Sequence, residues 1–105
     1  MFYRIVTKTR EWKLGLGLMV NSGIKGALIM ESVKKIKSID AVLCLNFEKH
    51  GLKNYIGGAT FLELYEAFRF SKKIYLWNDI PEGILYDEIH GFQPVVIKGD
   101  LGKVK

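Results

Sequence analysis

Cysteine is almost missing from this chain. Cys44 is the single one, so no internal disulfide can form, and a reducing cytoplasm is the natural setting. Set within an apolar run, Cys44 is expected to act as a small buried hydrophobe. Long hydrophobic stretches are lacking too. None approaches the ~20 apolar residues of a membrane helix, and the longest, Leu14 to Val20, is interrupted by Gly15 and Gly17. The opening residues do not resemble a secretory leader, because Arg4, Lys8, Arg10, Glu11 and Lys13 break up any apolar segment. His50 and His90 have no second His, Cys or carboxylate at ligand spacing, which argues against a metal site. There is no Ser/His/Asp arrangement, P-loop, internal repeat or low-complexity tract. No cofactor is expected.

What is present suits one small domain. Of 105 residues, 49% are apolar and 12% aromatic, ample for a core. The net charge of +5 is unevenly spread: eight basic residues face two acids up to Lys37, and eight face nine acids from Ser38 onward. Such asymmetry can mark a nucleic-acid surface. Here the lysines are scattered and do not alternate with aromatics, so a solvated basic face is expected, without nucleic acid as a partner.

The organising stretch runs from Asp40 to Trp77. Ala41 to Leu45 is a short apolar run, typical of a strand covered on both faces. Ile74 to Trp77 is a second. Between them Phe61, Leu62, Leu64, Tyr65 and Phe68 recur at helical spacing, which predicts an amphipathic helix and hence a βαβ unit. Before it, Phe2 to Thr7 reads as a strand. Leu14-Gly15-Leu16-Gly17-Leu18 alternates but is weakened by its glycines. Ile24 to Lys37 reads as a helix with lysines in its last turn. After the unit, Asn78 to Gly83 is a turn-rich loop, a short helix is expected over Leu85 to His90, and Val95-Val96-Ile97 is a third β-branched run. Together these predict a three-layer α/β domain with a mostly parallel sheet.

In an open parallel sheet, ligands bind beyond the carboxyl ends of the strands. The loop Asn46 to Gly58 lies there and carries Asn46, Asn54, Tyr55 and paired glycines whose amides can approach a ligand. Thr60 and Glu63 then open the helix, and two readings are open. Thr-x-x-Glu is a capping box, a structural role. Alternatively, a carboxylate kept ionised at a helix start, beside a sugar-sized pocket, is what attack on an anomeric carbon requires.

The run Asp40-Ala-Val-Leu-Cys-Leu-Asn46, then Gly51-Leu-Lys-Asn-Tyr-Ile-Gly-Gly58, Thr60-Phe-Leu-Glu63 and Lys73-Ile-Tyr-Leu resembles the nucleoside 2-deoxyribosyltransferase-like proteins. The resemblance covers roughly Glu31 to Leu101 and is nearest to small members of unassigned substrate. It implies a flavodoxin-like or Rossmann-like sheet, shortened at the N-terminus. It also implies attack on the N-glycosidic bond of a 2′-deoxynucleoside or its 5′-monophosphate, with Glu63 as nucleophile. The substrate contacts it suggests are Asn46, Asn54, Gly57, Gly58 and Thr60, and it implies a homodimer or larger assembly. A non-catalytic, nucleotide-binding or scaffold member of the same fold is the alternative.

Three positions depart from the family pattern. Tyr65 stands where a small residue is usual, Gly57 near the place of an acid that handles the base, and no glycine turn follows Phe2 to Thr7. The segment before Glu31 is therefore either shortened or rebuilt.

Overall fold

Runs of apolar and β-branched residues place the central strands, and the computed structural model orders them into one five-stranded sheet, β2-β1-β3-β4-β5. It describes residues 3–7, 12–14, 30, 34 and 36–104, the first two segments as backbone. Its strands are β1 (Tyr3–Thr7), β2 (Trp12–Leu14), β3 (Ile39–Cys44), β4 (Lys73–Leu76) and β5 (Val95–Val96). Helices α1 (Gly58–Arg69) and α2 (Tyr86–Gly91) connect the last three, and a short 3-10 turn follows at Leu101–Lys103.

β3, β4 and β5 are parallel neighbours, with Val42 opposite Ile74 and Tyr75 opposite Val95. They form an α/β unit. β1, however, runs antiparallel to β3, from Tyr3 beside Cys44 to Thr7 beside Ile39, and β2 folds back antiparallel on β1. The sheet is thus mixed rather than mostly parallel. β2 is not among the elements expected from sequence: Trp12-Lys13-Leu14 is too short to announce a strand and forms one by pairing with β1. The expected helix over Ile24 to Lys37 lies largely outside the described residues; of those described, Met30, Lys34 and Ile36 are helical.

Alternation along the strands sorts the core between two faces. Val42, Cys44, Ile74 and Leu76 pack with Leu64 and Ala67 of α1, Ile89 of α2 and Ile36. Ala41, Leu43 and Tyr75 face the other way, onto Ile97 and the half-buried Trp77 and Val104. Among the described residues, helices cover the first face and the C-terminal segment the second, so a second helical layer is not among them.

α1 turns only part of the apolar stripe read in the sequence to the sheet, with Leu64 buried and Phe61 packed against the core. Thr60, Glu63, Leu64 and Ala67 are buried, whereas Leu62, Tyr65 and Phe68 are nearly half exposed. The aromatic stripe is capped from the side by Phe92, whose ring lies 5.5 Å from Phe61, 6.4 Å from Tyr65 and 5.4 Å from Phe68. The helix ends in a Schellman motif: Lys72 N–H donates to Ala67 O and Ser71 N–H to Phe68 O, with Ser71 at φ 57°.

Candidate functional site

Loops leaving the carboxyl ends of β3 and β4 enclose a cleft of about 840 Å³. This is where an open parallel sheet presents its ligand site, and the volume lies within the ordinary range for small-molecule pockets. One wall is the segment around Asn54, Tyr55 and Ile56. The other comes from the loop that starts at Asp79 and runs to Leu85, at the start of α2.

The two walls are tied together at their roots by Asn46. Its side chain is fully buried. Oδ1 accepts from Asn78 N–H at 2.8 Å, and Nδ2 donates to Asn78 O at 3.1 Å and Asp79 O at 3.0 Å. Asn78 Nδ2 returns a bond to Asn46 O at 3.1 Å. Both amide hydrogens of Asn46 are therefore engaged. The expectation that Asn46 contacts a sugar directly does not fit this arrangement; it holds the loops that a ligand would touch.

Beyond Asn46 the wall is a small built unit. Lys49 and Leu52 exchange both backbone bonds, at 3.0 and 2.9 Å. His50 and Gly51 turn the chain at φ 55° and 73°. Two successive positive φ values are those of a type I′ hairpin turn, which Gly51 adopts without strain. Tyr55 N–H donates to Phe47 O at 3.1 Å, returning the chain. The ring of Tyr55 meets His50 edge-on at 5.7 Å and carries Lys49 Nζ 5.9 Å from its centre. A Cβ at Gly57 would stand 3.3 Å from this ring, whereas one at Gly58 would meet nothing. Gly57 thus serves the seating of Tyr55 and caps α1 with no side-chain bond; the helix begins at Gly58.

That start corrects the capping-box register. Thr60 and Glu63 sit inside α1, and both are buried. Glu63 lies in the second helical turn, past the reach of the N-terminal dipole. It is the one buried charged residue among the described residues, at 1% exposure, and it does not line the cleft. Tyr65 is nearly half exposed, with its ring 6.4 Å from that of Phe92. Of the site residues expected from sequence, Asn54 lines the cleft; Asn46, Gly57, Gly58, Thr60 and Glu63 lie outside its lining. Ile56 lines the cleft and belongs to the same core cluster as Leu64.

The second wall was not anticipated as part of a site. Its signal was present, since Asn78 to Gly83 follows the second parallel strand as directly as Asn46 follows the first. Cys44 takes no part: burial pushes its thiol up from 9.0 to about 12, leaving it protonated and inert. Among the described residues no group of three or more His, Cys, Asp or Glu could hold a metal ion. No described helix is long and apolar enough to cross a membrane. No family model, curated protein or solved structure matches the chain.

Proposed function

We propose that the chain is a nucleoside 2-deoxyribosyltransferase-like protein on a flavodoxin-like frame rebuilt at its N-terminus. It acts on a 2′-deoxynucleoside or its 5′-monophosphate held in the cleft beyond β3 and β4. The observation that carries this is the cleft of about 840 Å³ past the carboxyl ends of β3 and β4, where an open parallel sheet holds its ligand. Glu63, buried in α1 and outside the cleft lining, is the carboxylate that the resemblance assigns as nucleophile, and it would have to turn toward the cleft to react. Glu63 would attack C1′ of the sugar as the base departs with a proton, giving a covalent deoxyribosyl-enzyme. Water or a second base would then displace Glu63 from C1′ and regenerate the carboxylate. The strand order β2-β1-β3-β4-β5 supports the frame, being the spatial order of flavodoxin-like sheets, although β1 runs opposite to the other four strands. A homodimer belongs to the same proposal, supported by the exposed Leu62, Tyr65 and Phe68 on α1.

A second reading is a ligand-binding member without turnover. It is favoured by Glu63 lying outside the cleft lining and by Asn46 being committed to the loop clasp. Incubation with each deoxynucleoside and its monophosphate, followed by chromatography for free base, separates the two. Base release that is lost in Glu63→Gln while the circular dichroism spectrum is unchanged supports the enzyme. Absence of release, with a melting temperature raised by the same compounds, supports the binding protein. If neither occurs, both readings fall.

A further inference from the structure

We infer that the cleft selects an uncharged nucleoside over its 5′-monophosphate. This rests on the nucleoside-binding reading above and adds the charge class of the ligand.

Among the described residues the cleft has no surplus cation. Asp79 and Glu82 line it against one positive residue, Lys53. A second cation, Lys98, sits 3.8 Å from Asp79 Oδ1 and serves as its counter-ion. With that pair cancelled, Lys53 is balanced by Glu82. A 5′-phosphate brings about −1.5 to −2 charges at neutral pH, and its sites ordinarily collect Arg, Lys or free helix amides to meet them. The short helix that opens at the cleft offers no such help, because α2 carries Asp87 and Glu88 in its own first turn. Lysines do gather elsewhere. Lys72, Lys73 and Lys103 line a separate hollow of about 700 Å³ near the start of β4, with no acid among its described lining residues. What the cleft does offer is apolar surface from Tyr55, Ile56, Ile80 and Leu85, with Asn54 as an amide beside it. That combination suits a base and a deoxyribose.

The test is calorimetric titration of the full chain with 2′-deoxynucleosides and their 5′-monophosphates at low ionic strength. The monophosphate is expected to bind roughly threefold to tenfold more weakly than its nucleoside, because its phosphate loses water with no spare cation to replace it. In Glu82→Gln, a loop substitution at an exposed residue, the gap should narrow by roughly twofold to threefold. Monophosphates binding as tightly as nucleosides, or tighter, would overturn the charge selection and leave the nucleoside site standing. A gap that Glu82→Gln leaves unchanged overturns it as well, since the cleft carboxylates would not be its cause. If no compound binds, the nucleoside reading itself fails and the selection goes with it.

Discussion

Replacing Asn46 with alanine should cost this domain about 3 kcal/mol. The side chain makes one accepted and two donated bonds to the Asn78–Asp79 backbone, all between 2.8 and 3.1 Å. Each is worth about 1 kcal/mol net, and truncation strands an amide and two carbonyls near the core. The bond from Asn78 Nδ2 to the backbone oxygen of residue 46 can persist, so it is left out of the sum. A domain of this size has about 5–15 kcal/mol in total, so the loss is a large share. It corresponds to a fall in Tm of roughly 12–24 °C, at about 4–8 °C per kcal/mol. Urea unfolding followed by tryptophan fluorescence measures the free energy, and hydrogen exchange at the Asn78 amide locates it. Asn46→Asp refines the test. It keeps an acceptor for Asn78 N–H but turns an oxygen toward two carbonyls, so at neutral pH it should be at least as damaging as alanine. Acidification should recover part of the loss, as the protonated carboxyl regains one donor. A loss under about 1 kcal/mol in Asn46→Ala, or unchanged exchange at Asn78, would refute the clasp.

Other substitutions separate packing from backbone effects. Gly57→Ala should destabilise by about 1–2 kcal/mol by displacing the Tyr55 ring, since the new Cβ would stand 3.3 Å from it. Its neighbour Gly58→Ala, with open space around the Cβ, should gain roughly 0.4–1 kcal/mol; equal effects of the pair in urea unfolding would contradict the seating of Tyr55. Ser71→Gly should stabilise by about 1 kcal/mol, because φ 57° at the end of α1 suits glycine, and thermal unfolding reads this directly. Cys44 should resist iodoacetamide at pH 8 until urea unfolds the chain. Because burial raises its pKa from 9.0 to about 12, the folded state holds the proton longer, and stability should decline as pH climbs through that interval.

The strands were legible wherever burial on both faces left no polar residue to confuse the pattern. Ala41 to Leu45 and Ile74 to Trp77 mark β3 and β4 to within two residues at each end. β1, β5 and the short α2 were legible as well. The direction of β1 was not, because an apolar strand pairs in either sense and the choice is made by its partners. The inward face of α1 was legible only in part, for a reason tied to the site: two of its four buried positions are Thr60 and Glu63. Hydrophobicity therefore pointed to the neighbouring aromatic stripe, which Phe92 half covers. The start of α1 was misplaced because Thr-x-x-Glu imitates a cap, while the chain begins the helix at a bare glycine. Most of the cleft's first wall could be located in advance. The roles within it could not, since whether an asparagine faces a ligand or a carbonyl is decided by a loop more than thirty residues away.

The sheet closes at β5 with a strand of two residues, Val95–Val96. Directly after it, Ile97 N–H is taken by Leu76 O, and Lys98 and Gly99 swing the chain away at positive φ. So short a border gives an incoming strand almost nothing to zip onto. If copies of this chain associate as proposed, they cannot extend the sheet across that margin. Association through the exposed side chains of α1 avoids that margin, and on that route a lone Tyr65→Lys exchange should be enough to keep the copies apart.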